Sequence, residues 1–255
     1  MKALITGSSS GIGASLAREL KEKYDEMILV GRNEKRLNEL KEELLKTKKI
    51  KIETVSIDLT NKENCIKLHN RYKEVDLLIN NAGFGDCGLF TETSLDKEID
   101  MIKTNIEAYH ILTKLYLIDM KKRNKGQILN VASIAGFMPG PLMATYYATK
   151  SYVVRLSEGI REELRREKSN VKISILCPGP VDTNFNNTAN VKFKLKGMKS
   201  EEVAKYTINH LNKFYITPGI GVGVSRIVMQ LLPSSLTAKI IYNIQRKKIY
   251  NKKEK

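Results

Sequence analysis

The sequence predicts a doubly wound α/β fold, in which helices cover both faces of a parallel sheet of about seven strands. Short apolar runs alternate with amphipathic stretches six times between residues 3 and 177. Such alternation is typical of strand-helix-strand units with right-handed crossovers. A glycine-rich turn also joins the first apolar run to the first amphipathic stretch. Because the composition shows no break, we expect a single domain over residues 1–255.

The individual elements follow from the spacing of the apolar residues. In the first half the pattern predicts strands over residues 3–6, 27–30, 51–57 and 75–80, and helices over residues 12–23, 34–45 and 62–72. In the second half it predicts strands over residues 126–133, 171–177 and 214–217, and helices over residues 96–122, 145–166, 200–213, 223–232 and 236–247. The periodicity lapses over residues 184–197, which indicates either a loop over a ligand or an irregular surface segment.

Gly7, Gly11 and Gly13 form a G-x-x-x-G-x-G turn between the first strand and the first helix. A turn at this junction exposes backbone N–H groups and the positive end of a helix to a phosphate. Glycine allows the chain to turn, lets the backbone approach a pyrophosphate and permits close helix packing. The turn is therefore a predicted dinucleotide site.

Arg32 follows the second strand, where dinucleotide-binding folds meet the adenosine ribose. An acid at this position selects NAD, whereas an arginine accommodates the 2′-phosphate of NADP. Arg32 therefore favours NADP(H) as the cofactor, with NAD(H) as the alternative. Arg32 could also be an ordinary solvated arginine in a loop, without a role in binding. Asp58, at the end of the third strand, either caps the next helix or hydrogen-bonds an adenine amino group.

Polar residues also stand at three positions in or beside apolar elements. Asn80 and Asn81 end the fourth strand, which indicates side chains that tie strands together or face a cofactor. Asn105 lies on the apolar face of a long helix, where its amide either satisfies backbone groups or holds a water at a reaction site. The fifth strand delivers Ser133 to its carboxyl end, which is the edge where open parallel sheets bind ligands.

Tyr146 and Lys150 lie one turn apart on the same face of a predicted helix. A nearby ammonium lowers the pKa of a phenol from its usual value of about 10 and so suits Tyr146 to proton transfer. By itself the pair is also typical of an ordinary surface helix. Tyr147 is the rival phenol, but a rotation of roughly 100° per residue directs it elsewhere.

Taken together, these motifs resemble the short-chain dehydrogenase/reductase family over residues 2–183. The resemblance implies a Rossmann-type fold and an oxidoreductase that acts on a carbonyl/alcohol pair. The implied catalytic residues are Asn105, Ser133, Tyr146 and Lys150. The implied cofactor contacts are Thr6, Gly7, Ser9, Ser10, Gly11, Ile12, Gly13, Arg32, Asp58, Leu59, Asn81, Ala82, Gly83, Tyr146, Lys150, Pro178, Gly179, Val181 and Thr183.

The resemblance also implies a role for each catalytic residue. Tyr146 would be the general acid in reduction and the base in oxidation, and Ser133 would hydrogen-bond the carbonyl oxygen. Lys150 would lower the pKa of Tyr146 and bind the nicotinamide ribose. Asn105 would hold a water that links the lysine to solvent. A dinucleotide-binding regulator without catalysis is the alternative on the same fold.

The region over residues 184–215 is expected to set the substrate preference. A partly apolar pocket is predicted from Leu142, Met143, Phe185 and Phe193, and it suits steroid, acyl, sugar or xenobiotic carbonyls. The two long helices over residues 96–122 and 145–166 resemble the pair through which family members associate. We therefore expect a homodimer or a homotetramer.

Composition limits the remaining classes of partner. The formal net charge is +16, but the lysines are dispersed apart from a basic tail over residues 245–255. Dispersed lysine is most often a solvated surface, so we expect no specific nucleic-acid partner, and the tail offers at most a peripheral contact with anionic membrane. The start of the sequence has no signal-peptide pattern, which predicts a cytoplasmic protein. The three widely spaced cysteines predict neither a disulfide nor a metal site.

Overall fold

The computed structural model describes residues 1–183, 185, 189 and 197–250, and it has the predicted α/β architecture. The strands are β1 Lys2–Thr6, β2 Glu26–Gly31, β3 Lys51–Ser56, β4 Leu77–Asn80, β5 Gln127–Val131, β6 Lys172–Leu176, β7 Val181–Asp182, β8 Met198–Lys199 and β9 Tyr215–Ile216. The α-helices are α1 Gly11–Leu20, α2 Glu34–Leu45, α3 Lys62–Arg71, α4 Leu95–Ile102, α5 Ala108–Arg123, α6 Ala144–Arg166, α7 Ser200–Asn209, α8 Ile220–Leu231 and α9 Ser234–Tyr250.

Seven of these strands form one parallel sheet in the order β3-β2-β1-β4-β5-β6-β9, while β7 pairs with β8. The chain first moves outward from β1 to β3 and then crosses back to β4 on the other side of β1. This reversal places the topological switch point between β1 and β4, where open parallel sheets bind ligands beyond their carboxyl ends. The glycine turn after β1 and the loop after β4 meet at that edge.

Helices cover both faces of the sheet. Ala3 and Ile5 of β1 point to one face, where α1, α2 and α7 pack, whereas Leu4 points to the other face, where α3 and α5 pack. All three side chains are fully buried. Because alternate residues of a strand point to opposite faces, a strand buried on both faces needs an apolar side chain at every position. This requirement explains the unbroken apolar run ALI in β1.

The long helix predicted over residues 96–122 has an irregular turn in its middle. A π-helical segment, Lys103–Glu107, joins α4 to α5, and it contains Asn105. Such π turns are rare inside helices and occur often at functional sites. A short 3₁₀ helix, Ile134–Phe137, follows β5, and Ser133 is its N-cap, with the hydroxyl accepting a hydrogen bond from the Ala135 N–H at 3.2 Å.

The C-terminal helices pack beside the carboxyl end of β5. Arg226 of α8 stacks on the ring of Tyr215, with its guanidinium carbon 4.2 Å from the ring centre, and it also lies over Phe137. None of the described helices combines the length and the apolar character that crossing a membrane requires. Residues 251–255 of the basic tail lie outside the described residues, so a membrane contact stays a prediction, as does the cytoplasmic location.

Candidate active site

The turn after β1 presents backbone donors at the start of α1. Ser10 is the N-cap of this helix, and within the described part of the chain its side chain makes no capping hydrogen bond. The first N–H groups of a helix have no intrahelical acceptor, so they are available to an anion. Gly7 has a φ of +66°, and a Cβ on it would lie 2.7 Å from the Ala82 Cα. Glycine is therefore required at Gly7 for both its backbone angle and its space.

Thr6 and Asn81 hold this turn against the loop after β4. The Thr6 hydroxyl accepts hydrogen bonds from the N–H groups of Asn81 and Ala82, at 2.9 and 3.1 Å. The Asn81 side chain donates to the carbonyl oxygens of Thr6 and Gly7, at 2.9 and 3.1 Å. The neighbouring Asn80 donates to Asn130 of β5 at 2.9 Å. The predicted role of the two asparagines in tying strands together is confirmed.

Arg32 lies exposed at the edge of the cavity beyond β2, where the sequence predicts the ribose contact. Arg36 lines the same edge, and the sequence reasoning did not identify it. Its place in the sequence could have identified it, because Arg36 lies one turn after Arg32 at the start of α2. Asn33 caps this helix by accepting a hydrogen bond from the Arg36 N–H at 3.0 Å. Two guanidinium groups therefore border the predicted site of the 2′-phosphate.

Asp58 lines the cavity but does not cap α3, so the simpler of its two predicted roles is wrong. Its carboxylate accepts a hydrogen bond from the Thr60 N–H at 2.9 Å. The cap of α3 is Asn61, which accepts from the Asn64 N–H at 3.2 Å. Capping needs the residue directly before the helix, and Asp58 stands too early in the turn. The adenine contact stays a prediction.

A single cavity of about 850 Å³ joins the nucleotide edge to the predicted catalytic residues. Its volume is typical of a small-molecule site. Most of the predicted site residues line it: Gly7, Ser9, Ser10, Gly11, Ile12, Arg32, Asp58, Leu59, Asn81, Ala82, Gly83, Ser133, Tyr146, Lys150, Pro178, Gly179, Val181 and Thr183. Thr6, Gly13 and Asn105 are not among the lining residues, but each contacts residues that are. On Gly13, for example, a Cβ would overlap the Gly7 carbonyl oxygen.

Lys150 is buried beneath the cavity floor, with 4% of the residue exposed. Its ammonium donates a hydrogen bond to the Val131 carbonyl oxygen at 2.9 Å. The Nζ atom lies 5.4 Å from the ring centre of Tyr109 and 5.9 Å from that of Tyr146. Burial lowers the pKa of Lys150 to about 8, because desolvation disfavours the charged form.

Tyr146 is half-buried, and burial raises the pKa of its phenol above the usual value. A hydrogen bond with the Ser133 side chain lowers this pKa by a smaller amount. The predicted net lowering by Lys150 is therefore wrong for this structure, since desolvation outweighs the opposing effects. A phenol with a raised pKa is protonated at neutral pH, which is the form that can donate a proton.

Both the oxygen and the nitrogen of the Asn105 amide have hydrogen-bond partners. The Oδ1 atom accepts from the Phe84 N–H at 3.1 Å, and Nδ2 donates to the Phe84 carbonyl at 2.9 Å and to the Thr149 hydroxyl at 3.1 Å. The Thr149 hydroxyl in turn donates to the Tyr146 carbonyl at 2.7 Å. Asn105 thus fixes both the loop after β4 and the first turn of α6. Its predicted water stays a prediction.

The apolar part of the pocket differs from expectation at two positions. Met143 and Phe185 line the cavity as predicted, but Leu142 does not; with a φ of +67° it lies buried in a tight turn. Phe193 lies outside the described residues. Tyr147, expected to point elsewhere, lines the same cavity.

Tyr147 is held by a residue that the sequence reasoning missed. Its hydroxyl accepts a hydrogen bond from Gln245 Nε2 at 2.7 Å, although the two residues are 98 positions apart. No local pattern marks Gln245, because it lies on an ordinary amphipathic helix. Within the described part of the chain, no group of His, Cys, Asp and Glu could hold a metal ion.

This fold and this site define a dinucleotide-binding α/β oxidoreductase. The family profile described as short chain dehydrogenase matches residues 1–193, and the chain belongs to that family. An uncharacterised oxidoreductase of Staphylococcus saprophyticus is 32% identical over 224 residues, which cover 84% of this chain and 95% of the relative.

Two solved structures share this fold. A short-chain dehydrogenase from Sphingobium yanoikuyae in complex with NADPH has a TM-score of 0.81 at 25% identity, covering 92% of this chain and 97% of that chain. A short-chain dehydrogenase/reductase from Burkholderia phymatum in complex with NAD has a TM-score of 0.80 at 24% identity, covering 89% and 91%. The second likeness concerns the fold alone.

Proposed function

We propose that the protein is an NADP(H)-dependent oxidoreductase that interconverts a carbonyl and an alcohol, with Tyr146 as the proton donor. One observation carries the proposal: Ser133, Tyr146 and Lys150 line the same cavity as the glycine turn. A reactive group and a dinucleotide can therefore occupy one continuous space. The family assignment gives the reaction class, and the site residues give the proposed roles.

The residues at the nucleotide edge suit a dinucleotide. The open N–H groups at the start of α1 would bind the pyrophosphate, and the slim Gly7 would let the backbone approach it. Arg32 and Arg36 favour the 2′-phosphate of NADP. Glu34 lines the same edge and is the feature that favours the NAD(H) alternative. When bound, the nicotinamide would supply or accept the hydride.

The chain's own residues would handle the oxygen of the substrate. The Ser133 hydroxyl would hydrogen-bond the carbonyl oxygen, where negative charge develops. Tyr146 would give its proton to that oxygen in reduction, and the Lys150 ammonium would stabilise the phenolate left behind. Asn105 would act as a positioning residue through Thr149, whose hydroxyl bonds the Tyr146 carbonyl.

We further propose that the protein associates with copies of itself through α4 and the neighbouring long helices. Leu95, Ile99 and Ile102 form an exposed apolar stripe on α4, with exposures of 71%, 41% and 39%. Their spacing of four and three residues places them on one helix face. An exposed apolar stripe of this kind is typical of an interface.

A cofactor-oxidation screen tests the proposed function. Purified protein is incubated with NADPH or NADH and a library of steroid, acyl, sugar and xenobiotic carbonyls, and loss of absorbance is followed. We expect oxidation of NADPH that depends on the carbonyl and is faster than with NADH. Tight dinucleotide binding without turnover of any carbonyl would instead favour the non-catalytic regulator.

A further inference from the structure

Gln245 brings a buried amide into the cavity wall beside Tyr147. Only 3% of the residue is exposed, and its Nε2 is bonded to the Tyr147 hydroxyl. Its Oε1 has no hydrogen-bond partner among the residues that the structure describes. Buried carbonyl oxygens are nearly always paired, because an unpaired one loses the hydrogen bonds that water would make. Gln245 lines the cavity, so a bound molecule that reaches this buried oxygen can supply the missing donor.

The surrounding residues fix the position of this amide. Ile241 lies one turn before Gln245 on α9 and is buried in an apolar cluster with Met143 and Tyr147. Gly140 lies so close to the Tyr147 ring that any Cβ would overlap it. Because the ring and the helix are both held in place, the bond from Nε2 to the phenol limits the orientations that the amide can adopt.

We propose that Gln245 and Tyr147 form a polar subsite in which Gln245 Oε1 accepts a hydrogen bond from a hydroxyl or N–H group of the substrate. The subsite rests on the proposed function, in which Tyr146 takes the reacting carbonyl of the same molecule. The rings of Tyr146 and Tyr147 are 6.1 Å apart and inclined at 77°. Both phenols line the same cavity, so one ligand can contact the two of them. The substrate class is a carbonyl compound, or its alcohol, with a donor group remote from the reacting carbon.

A carboxylate at the remote end does not suit this subsite. Oε1 offers lone pairs only. Among the described residues of the cavity lining, the basic ones are Lys150 below Tyr146, and Arg32 and Arg36 at the ribose edge. Within the part of the lining that the structure describes, an anionic end would thus meet the Oε1 lone pairs without a cation beside it, which disfavours a carboxylate at this position.

Gln245, one of the two residues of this subsite, comes from a part of the chain outside the matched family region. The family profile ends at residue 193, whereas Gln245 belongs to α9, Ser234–Tyr250. The nucleotide and proton-transfer residues lie within the matched region. The chain's own C-terminal helix therefore supplies the discrimination between substrates.

Matched ligands test the subsite by binding and by turnover. Straight-chain alcohols of increasing length, each ending in a hydroxyl, a methoxy or a methyl group, are titrated by calorimetry into the protein loaded with NADPH, a pair that cannot react by hydride transfer. The corresponding aldehydes are compared by kcat/KM with NADPH. At the best-fitting length we expect the hydroxyl-ended ligand to bind about ten- to hundredfold more tightly than either of the others.

Variants distinguish the contribution of Gln245 to end-group preference from the general effects of a substitution. Gln245→Met is expected to bring the hydroxyl-to-methyl ratio to about one, whereas Gln230→Met, at an exposed position of α8, keeps the wild-type ratio. Tyr147→Phe removes the hydroxyl that Nε2 bonds and should partly reduce the hydroxyl-to-methyl ratio. This second variant tests the subsite if Gln245→Met does not fold.

The outcomes distinguish the subsite from the proposed function. Equal binding of the three ligands, or methoxy binding as tight as hydroxyl binding, would overturn the subsite. A hydroxyl preference in binding without reduction of any aldehyde would support the subsite and overturn the proposed reaction. Reduction of the aldehydes without any end-group preference would support the proposed reaction and overturn the subsite.

Discussion

Lys150 donates a hydrogen bond from its ammonium to the carbonyl oxygen of Val131, at 2.9 Å. Val131 is the last residue of β5, and Ser133 follows it by two positions. Tyr146 lies one turn before Lys150 on α6. This one bond therefore aligns the helix that carries the phenol with the strand that carries the hydroxyl.

The burial of Lys150 predicts how stability depends on pH. Its pKa is about 8 in the folded state against an ordinary value of 10.5. Below pH 8 both states hold the proton, and burying the charge costs about 3 kcal/mol at ~1.4 kcal/mol per pKa unit. Between pH 8 and 10.5 the unfolded state binds more protons, so this cost disappears as the pH rises.

Lys150→Met removes this titration. We expect the free energy of unfolding of the wild type, measured relative to this variant in urea, to rise from pH 8 to 10.5. Lys67→Met, at an exposed lysine of α3, is the control and should follow the wild-type profile. Parallel profiles for the wild type and Lys150→Met would contradict the account of a desolvated ammonium.

Arg32 and Arg36 are predicted to discriminate between cofactors. Replacing either with Ala should lower kcat/KM for NADPH by about ten- to hundredfold, because each removes a charge-assisted hydrogen bond worth about 1.5–3 kcal/mol. The values for NADH should change little. Arg71→Ala, at an exposed position of α3, is the control. An unchanged NADPH preference in the Arg32→Ala, Arg36→Ala double variant would refute the role of this edge.

Gly13 and Gly159 form a matched pair of helical glycines with opposite expected effects. A Cβ at Gly13 would overlap the Gly7 carbonyl oxygen, whereas a Cβ at Gly159 would meet nothing within 4 Å. Gly159→Ala should stabilise the protein by about 0.5–1 kcal/mol through helix propensity. Gly13→Ala should lower both the melting temperature and the affinity for NADPH. Equal melting temperatures for the two variants would contradict the packing of the glycine turn.

The apolar stripe on α4 is predicted to lie at a subunit interface. Ile99→Glu places a charge in its centre and should shift the protein towards a monomer in sedimentation velocity. Lys205→Glu, at an exposed position of α7, is the control. A wild type that sediments as a monomer at every concentration would rule out the interface.

The sequence predicts best those features that a local pattern encodes. The order of the elements followed from apolar periodicity, and Gly7, Ser133 and Tyr146 could be located because they stand at strand ends or at a helix start. Gln245 could not be found, because its partner Tyr147 is distant in the chain. The raised pKa of Tyr146 was also missed, since it depends on how deeply tertiary packing buries the phenol.

The proton-donor role of Tyr146 is tested by Tyr146→Phe, assayed for NADPH oxidation with the best carbonyl from the screen. Tyr152→Phe is the matched control, because Tyr152 is on the same helix and its hydroxyl bonds His110. NADPH binding is measured in parallel by fluorescence to separate catalysis from cofactor affinity. We expect Tyr146→Phe to lose on the order of 10²-fold or more in kcat while it still binds NADPH, and Tyr152→Phe to retain its activity. Turnover by Tyr146→Phe at the wild-type rate would contradict the assignment of Tyr146 as the proton donor.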